Sequence, residues 1–315
     1  MNCEKVISRK NLTKEEWLVY RRSGIGGSDA GAIAGLNPYS TAYSVYLDKL
    51  GEAEPITETE AMRQGMELEE YVAKRFCEHT GKRVKRCEYI LRSKAHPFML
   101  ADVDRLVVGE NAVLECKTTL NRDGYTFDGT DYPAYWRCQC LHYMAVTGAE
   151  KAYIAVLIFG RDFRIIEVTR SESIADLLAL IEIEERFWNE HVQRHQPPAV
   201  DGSARCTELL QRQYPEADEE YPSVDLMPYG AQLERLAAVR REIESLTEEK
   251  AEIENLFKSI LGEAPCGEYD GYKVTWKNRA SSRVDTKALK AEEPEVYAKY
   301  LRTTTMRTFL FSEKN

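Results

Sequence analysis

The segment Ala112–Lys117 constrains the fold of this chain more than any other feature of the sequence. Its residues predict a β-strand, in which successive side chains point to opposite faces of the sheet. Glu115 and Lys117 would then share one face, and Leu114 and Cys116 would share the other. A carboxylate and an ammonium group are therefore expected side by side on one surface of a sheet.

Asp104 precedes a second apolar run, residues 105–108, which is followed by the turn-forming residues Gly109–Asn111. This pattern predicts a hairpin that brings the Asp104 carboxylate next to Glu115. Two carboxylates in a small volume repel each other unless a cation lies between them, and oxygen ligands favour Mg²⁺ or Mn²⁺ over zinc. A lysine beside such a metal can act on an attacking water, as metal-assisted phosphodiester hydrolysis requires.

By itself, a Glu-x-Lys triplet on a strand is also typical of a solvent-exposed, salt-bridged face. Here, however, Asp104 and the triplet together resemble the core motif of the PD-(D/E)xK nucleases. Three further segments, in this order, make the chain resemble the YqaJ-like phage recombinase exonucleases, relatives of phage lambda exonuclease: residues 22–29, 65–69 and 139–148. The similarity covers roughly residues 14 to 195, and the order of four motifs is more specific than any single motif.

The resemblance implies an α/β fold with a restriction-endonuclease-like core, in which helices flank a central mixed sheet. It also implies a Mg²⁺-dependent exonuclease, with Mn²⁺ able to substitute, that degrades duplex DNA from the 5′ end and leaves 3′ overhangs for recombination. The alternatives are a structure-specific endonuclease that uses the same residues and a non-catalytic DNA-binding scaffold. The implied partners are double-stranded DNA ends, a single-strand annealing recombinase and further copies of the chain.

The same resemblance implies which residues bind the metal. Asp104 and Glu115 are expected to be direct ligands, and the carbonyl group of Cys116 is a candidate for a further one. Glu69, four residues after Gly65 on a predicted helix, matches the carboxylate that the family carries there. It would bind the metal directly or through water.

Further side chains are expected to support the chemistry at this metal. Lys117 would act on the water nucleophile, and Gln139 would orient the lysine or the scissile phosphate. Tyr143 follows Gln139 by four residues on a predicted helix, so both side chains can point toward the site. Asp102 replaces the serine of the family's consensus, and it would either support the metal ligands or lie solvated beside them.

The glycine-rich segment that ends at Ser28 delivers backbone N–H groups to the start of a predicted helix. Helix amides, a hydroxyl group and a nearby guanidinium are typical of an anion site, and the resemblance implies that the anion is the 5′-phosphate of DNA. Counting back from Gly24 assigns the phosphate contact to Arg22, whereas aligning on Trp17 assigns it to Arg21. Both arginines are therefore candidates, and a plain turn between two helices is the alternative.

Composition excludes several other classes of protein. The net charge of −9 over 315 residues argues against a protein that coats DNA through bulk electrostatics, although it allows a local basic groove. The amino terminus lacks the apolar run of a signal peptide, and no stretch of about 18 apolar residues exists to span a bilayer, so we expect a cytoplasmic protein without membrane contact. The scattered cysteines favour reduced thiols over a disulfide framework or an iron–sulfur cluster.

The sequence predicts a nuclease core over residues 1–198, a linker over residues 199–229, and a helical and β appendage over residues 230–315. Within the core, the polar loop of residues 51–59 is expected to border the DNA channel. Two strands, residues 272–276 and 307–311, are predicted in the appendage, with a helix near residues 294–301 between them.

A heptad seam is the main feature of the appendage. Its apolar members keep a 3-4 spacing that is interrupted only by Lys250. They are Leu236, Val239, Ile243, Leu246, Ile253, Phe257 and Ile260. A seam of this length must pack on another copy, on a different partner or on an antiparallel stretch of the same chain.

Overall fold

The computed structural model describes residues 2–10, 12–53, 58–218 and 220–313. Residues 54–57 of the predicted channel loop therefore lie outside the described part of the chain. Contacts divide the chain into two compact units, Met1–Gln213 and Tyr214–Asn315. Within the described ranges, no helix combines the length and the apolar character needed to cross a membrane.

The first unit contains both strands and helices. Its strands are β1 (Cys3–Ser8), β2 (Ile25–Gly26), β3 (Val84–Arg86), β4 (Tyr89–Ser93), β5 (Met99–Ala101), β6 (Arg105–Val107), β7 (Ala112–Thr119), β8 (Lys151–Ile158) and β9 (Asp162–Thr169). Its helices are α1 (Lys14–Arg22), α2 (Gly27–Ile33), α3 (Ala42–Leu50), α4 (Glu60–Thr80), α5 (Ala134–Thr147), α6 (Ile174–Arg186) and α7 (Ala204–Gln213). A π-helical turn, Phe187–Val192, continues α6.

The central sheet of this unit has the strand order β3-β6-β7-β8-β9. Strands β7 and β8 are parallel, and the other neighbours are antiparallel, which confirms the predicted mixed sheet with flanking helices. The predicted hairpin is also present, since Arg105 on β6 pairs with Leu114 on β7. Asp104 directly precedes Arg105, and Glu115 directly follows Leu114, so the two carboxylates lie level in this antiparallel pair. A second sheet has the order β1-β4-β5-β2.

Each face of the central sheet is covered by a different helix. Val72 and Phe76 of α4 pack on Leu114 and Tyr153, and the rings of Phe76 and Tyr153 lie 5.3 Å apart. Helix α5 covers the opposite face, where Met144 belongs to one apolar cluster with the inward side chains of β7 and β8. Helix α5 also contacts β4 and β5 of the second sheet. Because side chains alternate along β7, Glu115 and Lys117 face α5.

A buried ion pair anchors α5 to α6 and to the second sheet. Nδ1 of His142 lies 2.9 Å from Oε2 of Glu184 on α6, and its Nε2 lies 2.8 Å from the carbonyl oxygen of Leu100 on β5. Both ring nitrogens face acceptors, so the doubly protonated ring satisfies them best. Burial opposes the charge, but the Glu184 carboxylate and the Leu100 carbonyl prevail and raise the pKa of His142.

We expect His142→Gln to lower the free energy of unfolding by about 3 kcal/mol, because Glu184 would remain buried without its counter-charge. Since the pKa of His142 is raised in the folded state, the wild-type stabilisation is complete below the unfolded pKa of about 6.5 and is lost as the pH rises through the folded pKa. The free energy of unfolding, measured with urea at a series of pH values from below about 6.5 upward, should fall with rising pH in the wild type. His142→Gln should lose this pH dependence, and the exposed control His79→Gln should retain it. The same pH dependence in all three proteins would contradict the assignment.

The boundary between the two units differs from the predicted linker. The first half of residues 199–229 contains helix α7, whose Cys206 is fully buried, and the hydroxyl group of Tyr43 donates to Gln213 at the end of this helix. Apolar contacts of Leu209 and Leu210 therefore attach this segment to the first unit. The rest of the described segment, residues 214–218 and 220–229, is exposed and has little regular structure, as a linker would.

The second unit contains helix α8 (Gly230–Leu261), strands β10 (Cys266–Tyr269) and β11 (Tyr272–Thr275), and helices α9 (Thr286–Glu292) and α10 (Pro294–Tyr300). The predicted strand at residues 307–311 was wrong, because this segment has no regular structure. Strand β11 pairs instead with β10 across Asp270 and Gly271, both of which have positive φ. A tight hairpin closes a much shorter loop than pairing with residues 307–311 would require.

Candidate active site

Glu115 lies at the centre of the candidate site on β7, with only 4% of its surface exposed. Its Oε1 accepts hydrogen bonds from Nζ of Lys117 and from Nε2 of Gln139, each over 2.7 Å. Its Oε2 is buried and has no hydrogen-bond partner among the described residues. A buried, unpaired carboxylate oxygen is unfavourable unless a cation or water binds it.

Asp104 provides the second carboxylate of the site. Its Oδ2 accepts a hydrogen bond from the backbone N–H group of Cys116 over 2.8 Å, which ties Asp104 to β7. Burial and the neighbouring carboxylates of Glu115 and Glu69 raise the pKa of Asp104 well above its usual range, and burial also raises the pKa of Glu115. In the parts of the chain that the structure describes, no three acidic, thiol or imidazole groups form a complete metal site. The two repelling carboxylates and the unpaired oxygen nevertheless fit a hard divalent cation.

Glu69 reaches the edge of this pair from α4, where Arg105 holds it. Nη1 of Arg105 donates to Glu69 and, over 2.8 Å, to the carbonyl oxygen of Asp104, while its Nη2 donates to Glu70 over 3.0 Å. The Arg105 side chain is 3% exposed, whereas those of Glu69 and Glu70 are 27% and 67% exposed, so a buried guanidinium on β6 holds carboxylates of α4 nearer the surface. Sequence reasoning missed Arg105, although a charged residue inside an apolar strand was a usable signal.

Lys117, Gln139 and Tyr143 form a hydrogen-bonded chain that leads away from Glu115. Nζ of Lys117 donates to Oε1 of Gln139 over 2.8 Å, and Nε2 of Gln139 lies 3.0 Å from the Tyr143 hydroxyl group. That hydroxyl group donates to the carbonyl oxygen of Asp102 over 2.9 Å. Burial lowers the pKa of Lys117, but the Glu115 carboxylate outweighs burial and raises it, so the lysine carries a positive charge.

The carboxylate of Asp102 contacts side chains of the first residues of the chain. Nε1 of Trp17 donates to it over 3.1 Å, and Nη1 of Arg9 lies 3.0 Å from its other oxygen. Asp102 is joined to Tyr143 through its backbone carbonyl group. The side chain of Cys116 packs in the apolar cluster on the α4 face, and only its backbone faces Asp104.

The segment before α2 brings one of the two candidate arginines to Ser28. Nη2 of Arg21 donates to Oγ of Ser28 over 3.1 Å and to Oδ1 of Asp29 over 2.7 Å. Arg22 turns toward α3, where its Nε lies 3.8 Å from Asp48. Arg21 rather than Arg22 thus accompanies Ser28.

Sequence reasoning missed the ion cluster beneath Ser28. Asp29 is 3% exposed, and Nζ of Lys49, whose side chain is fully buried, lies 2.6 Å from it. Burial raises the pKa of Asp29, but Lys49 and Arg21 together hold it well below its usual range. Asp48 lies 3.7 Å from Nζ of Lys49 and 3.8 Å from Nε of Arg22, so the cluster has a net positive charge only when Arg22 is counted with it. A lysine four residues after Val45, on the apolar face of α3, was the signal in the sequence.

Tyr143 lies between the segment of Arg21 and Ser28 and the residues around Glu115. A cavity of about 60 Å³ borders Arg21, Ser28, Asp102 and Tyr143. Gly27, at the start of α2, approaches Tyr143 so closely that a Cβ atom there would lie 2.5 Å from the ring. Such a separation is sterically impossible without movement of Tyr143.

We expect Gly27→Ala to lower nuclease activity by about tenfold, because the added methyl group displaces Tyr143 and Gln139 and so loosens Lys117. Gly26→Ala is the matched control, since its φ of −98° suits any residue and a Cβ atom would meet nothing closer than 3.5 Å. Initial rates on a linear duplex, with circular dichroism as a folding check, would compare the two. Equal activity of both variants would show that Tyr143 does not position the site.

The sequence of this chain matches one family model and one full-length relative. The YqaJ-like viral recombinase domain matches residues 16–150. The uncharacterized protein YqaJ of Bacillus subtilis (strain 168) is 38% identical over 316 residues, which cover 99% of this chain and 98% of that protein. The chain belongs to the YqaJ-like family. This membership confirms the predicted family and, with it, the predicted enzyme class, a nuclease.

Solved structures also resemble this YqaJ-like chain. LHK-Exo in complex with dAMP has a TM-score of 0.47 and 19% identity, with 64% of this chain and 97% of that chain covered. LHK-Exo is an alkaline exonuclease from Laribacter hongkongensis. A phage related exonuclease from Haemophilus somnus 129PT has a TM-score of 0.40 and 14% identity, with coverage of 55% and 96%. The family assignment rests on the sequence matches and not on these superpositions.

Proposed function

We propose that this chain is a metal-dependent exonuclease that degrades one strand of a DNA duplex from its 5′ end and leaves a 3′ overhang for recombination. One observation carries the proposal: Asp104 and Glu115 converge beside Lys117 in a member of a viral recombinase family. The unpaired Oε2 of Glu115 supports a cation at this point. We further propose that the protein acts in the cytoplasm and passes its overhangs to a single-strand annealing recombinase.

Asp104 and Glu115 would hold the metal, proposed to be Mg²⁺ with Mn²⁺ able to replace it, because oxygen ligands favour both ions. The Cys116 carbonyl group and Glu69 would complete the set, Glu69 directly or through water. When bound, the ion would polarise the scissile phosphate and favour ionisation of the attacking water. Arg105 holds Glu69 at the edge of the site, which supports the indirect contact.

The remaining side chains would position the nucleophile. The protonated Lys117 donates hydrogen bonds to Glu115 and Gln139. Its ammonium group can donate a further hydrogen bond to the attacking water or to a phosphate oxygen. Gln139 fixes the direction of the lysine, and Tyr143 fixes the amide of Gln139. These contacts support a preorganised donor, which stabilises the charge that develops as the phosphodiester bond breaks.

The cluster of Arg21, Ser28, Asp29 and Lys49 would select the DNA end. The partly exposed guanidinium of Arg21 beside the Ser28 hydroxyl group supports binding of an anion. A 5′-phosphate carries about one more negative charge than an internal phosphodiester. The cavity beside this cluster is also lined by Tyr143, whose hydroxyl group accepts a hydrogen bond from Gln139 of the nuclease site. A terminal phosphate bound there would position the end of the strand for cleavage.

An assay on end-labelled linear duplex and on circular duplex, with Mg²⁺ or with EDTA, tests this function. We expect the linear duplex to be shortened from its 5′ ends only with Mg²⁺, and the closed circle to resist. Cleavage of the circle would favour the structure-specific endonuclease. DNA binding without hydrolysis in Mg²⁺ or Mn²⁺ would favour the scaffold.

A further inference from the structure

Helix α8 carries an apolar seam that its own chain leaves open to solvent. The helix has 32 residues, which corresponds to a length of about 48 Å. Ile243, Leu246, Ile253 and Ile260 are 58%, 63%, 48% and 68% exposed, respectively. These residues keep heptad spacing, which is typical of a helix that packs lengthwise on another helix. Within the described chain, no segment covers these four positions, whereas Leu236 and Val239 at the start of the seam are half-buried.

We propose that α8 packs antiparallel on α8 of a second copy of this chain and forms a two-stranded coiled coil centred near Glu248. In this register, each seam residue of one helix faces a seam residue of the other. The opposing pairs are Leu236 with Ile260, Val239 with Phe257, Ile243 with Ile253, and Leu246 with Lys250. Each pair occurs twice because the two copies are related by twofold symmetry.

The seam is therefore complementary to itself in one register. An unrelated partner would not require this property, because its own sequence could supply any matching residues. Three of the four kinds of layer are fully apolar, and the fourth places the long aliphatic stem of Lys250 on Leu246. A single lysine in an otherwise apolar seam fixes register at some loss of stability.

Charges beside the seam agree with the antiparallel direction. Arg240 of one copy faces Glu254 of the other, and symmetry repeats this attraction. Glu254 already lies 3.0 Å from Lys250 in its own helix. In the dimer, Glu254 would therefore lie between this lysine and Arg240 of the other copy. The two Glu249 side chains meet at the centre as like charges, but both Lys250 ammonium groups flank them.

A parallel pairing would bring like charges together throughout. Lys250 would face Lys250, Arg240 would face Arg235, and Glu254 would face Glu249. Like charges at such positions destabilise a coiled coil. Electrostatics therefore select the antiparallel direction.

Light scattering on the full-length protein at several concentrations tests the interface. We expect the double variant Leu246→Asp/Ile253→Asp to have half the mass of the wild type, because charges enter the apolar seam. Both positions are exposed in the single chain, so the variant should keep its helical circular dichroism. Ala251→Asp, on the outer face of α8, is the matched control and should keep the wild-type mass.

A charge exchange tests the direction. Arg240→Glu and Glu254→Arg should each raise the dissociation constant of the dimer about tenfold, and the double variant should restore it. Arg240 also donates to the carbonyl oxygen of Phe311, but loss of that contact would not be repaired by Glu254→Arg. Glu252→Arg, off the seam, should have no effect.

Equal masses for the wild type and Leu246→Asp/Ile253→Asp would overturn the proposal. The seam would then be the binding surface for a different protein. Failure of the charge exchange to restore the dimer would overturn the antiparallel register.

Discussion

Glu115→Gln should reduce hydrolysis of duplex DNA by about a thousand-fold or more, because the metal loses a charged ligand that contributes several kcal/mol. The substitution keeps an oxygen at Oε1, so Lys117 and Gln139 retain their acceptor. We therefore expect a folded protein that has lost chemistry. Asp104→Asn should have the same effect. Glu67→Gln, which changes an exposed carboxylate on α4, is the control and should remain active.

A binding measurement separates loss of metal from loss of chemistry. Mg²⁺ that binds only the folded protein must raise its melting temperature. We expect a concentration-dependent rise for the wild type and for Glu67→Gln, and none for Glu115→Gln or Asp104→Asn. Full activity in either active-site variant would refute the assignment of the metal ligands. A normal Mg²⁺ response in an inactive variant would instead show that this carboxylate acts in catalysis without binding the metal.

Arg21→Ala should lower activity on 5′-phosphorylated duplex ends by roughly thirty- to a hundred-fold, because a charge-assisted contact in a partly buried pocket contributes about 2–3 kcal/mol. Activity on 5′-hydroxyl ends should change much less, so the preference between the two ends should collapse. Arg22→Ala is the matched control, since Arg22 turns toward Asp48 and not toward Ser28.

Competition between the two kinds of end in one reaction would measure this preference directly. Asp29 retains Lys49 and the Gly26 amide as partners when Arg21 is removed, so the cluster should stay folded. Loss of the preference in Arg22→Ala alone would move the phosphate contact to that residue. Retention of the preference in both variants would mean that the Ser28 segment is only a turn.

Several elements followed from the sequence because the interactions that form them are local. The capping box of Thr13 and Glu16 closes the first turn of α1 and depends only on two residues three apart in sequence. The hairpin before β7 follows from a turn between two apolar runs. Gln139 and Tyr143 share a face because they are one helical turn apart. Side-chain alternation on β7 likewise placed Glu115 beside Lys117.

Features that join distant segments required the tertiary structure. Arg105 and Glu69 are separated by 36 residues in sequence, and no local period relates them. The choice between Arg21 and Arg22 depends on where α1 ends relative to Ser28, and a shift of one residue turns the side chain by about 100°. The contact of Asp29 with Lys49 and the attachment of α7 through Cys206 also join segments that are distant in sequence.

The sequence by itself determined the family, the central strand and the acid, lysine and glutamine of the candidate site, since short-range periodicity and motif order encode them. Tertiary packing decided which arginine accompanies Ser28, which cation holds Glu69 and where the first unit ends. These outcomes depend on which distant surfaces pack together and exclude water. A buried charge is stable only when it is paired, and its partner is the opposite charge that lies nearest in space, whatever their separation in sequence.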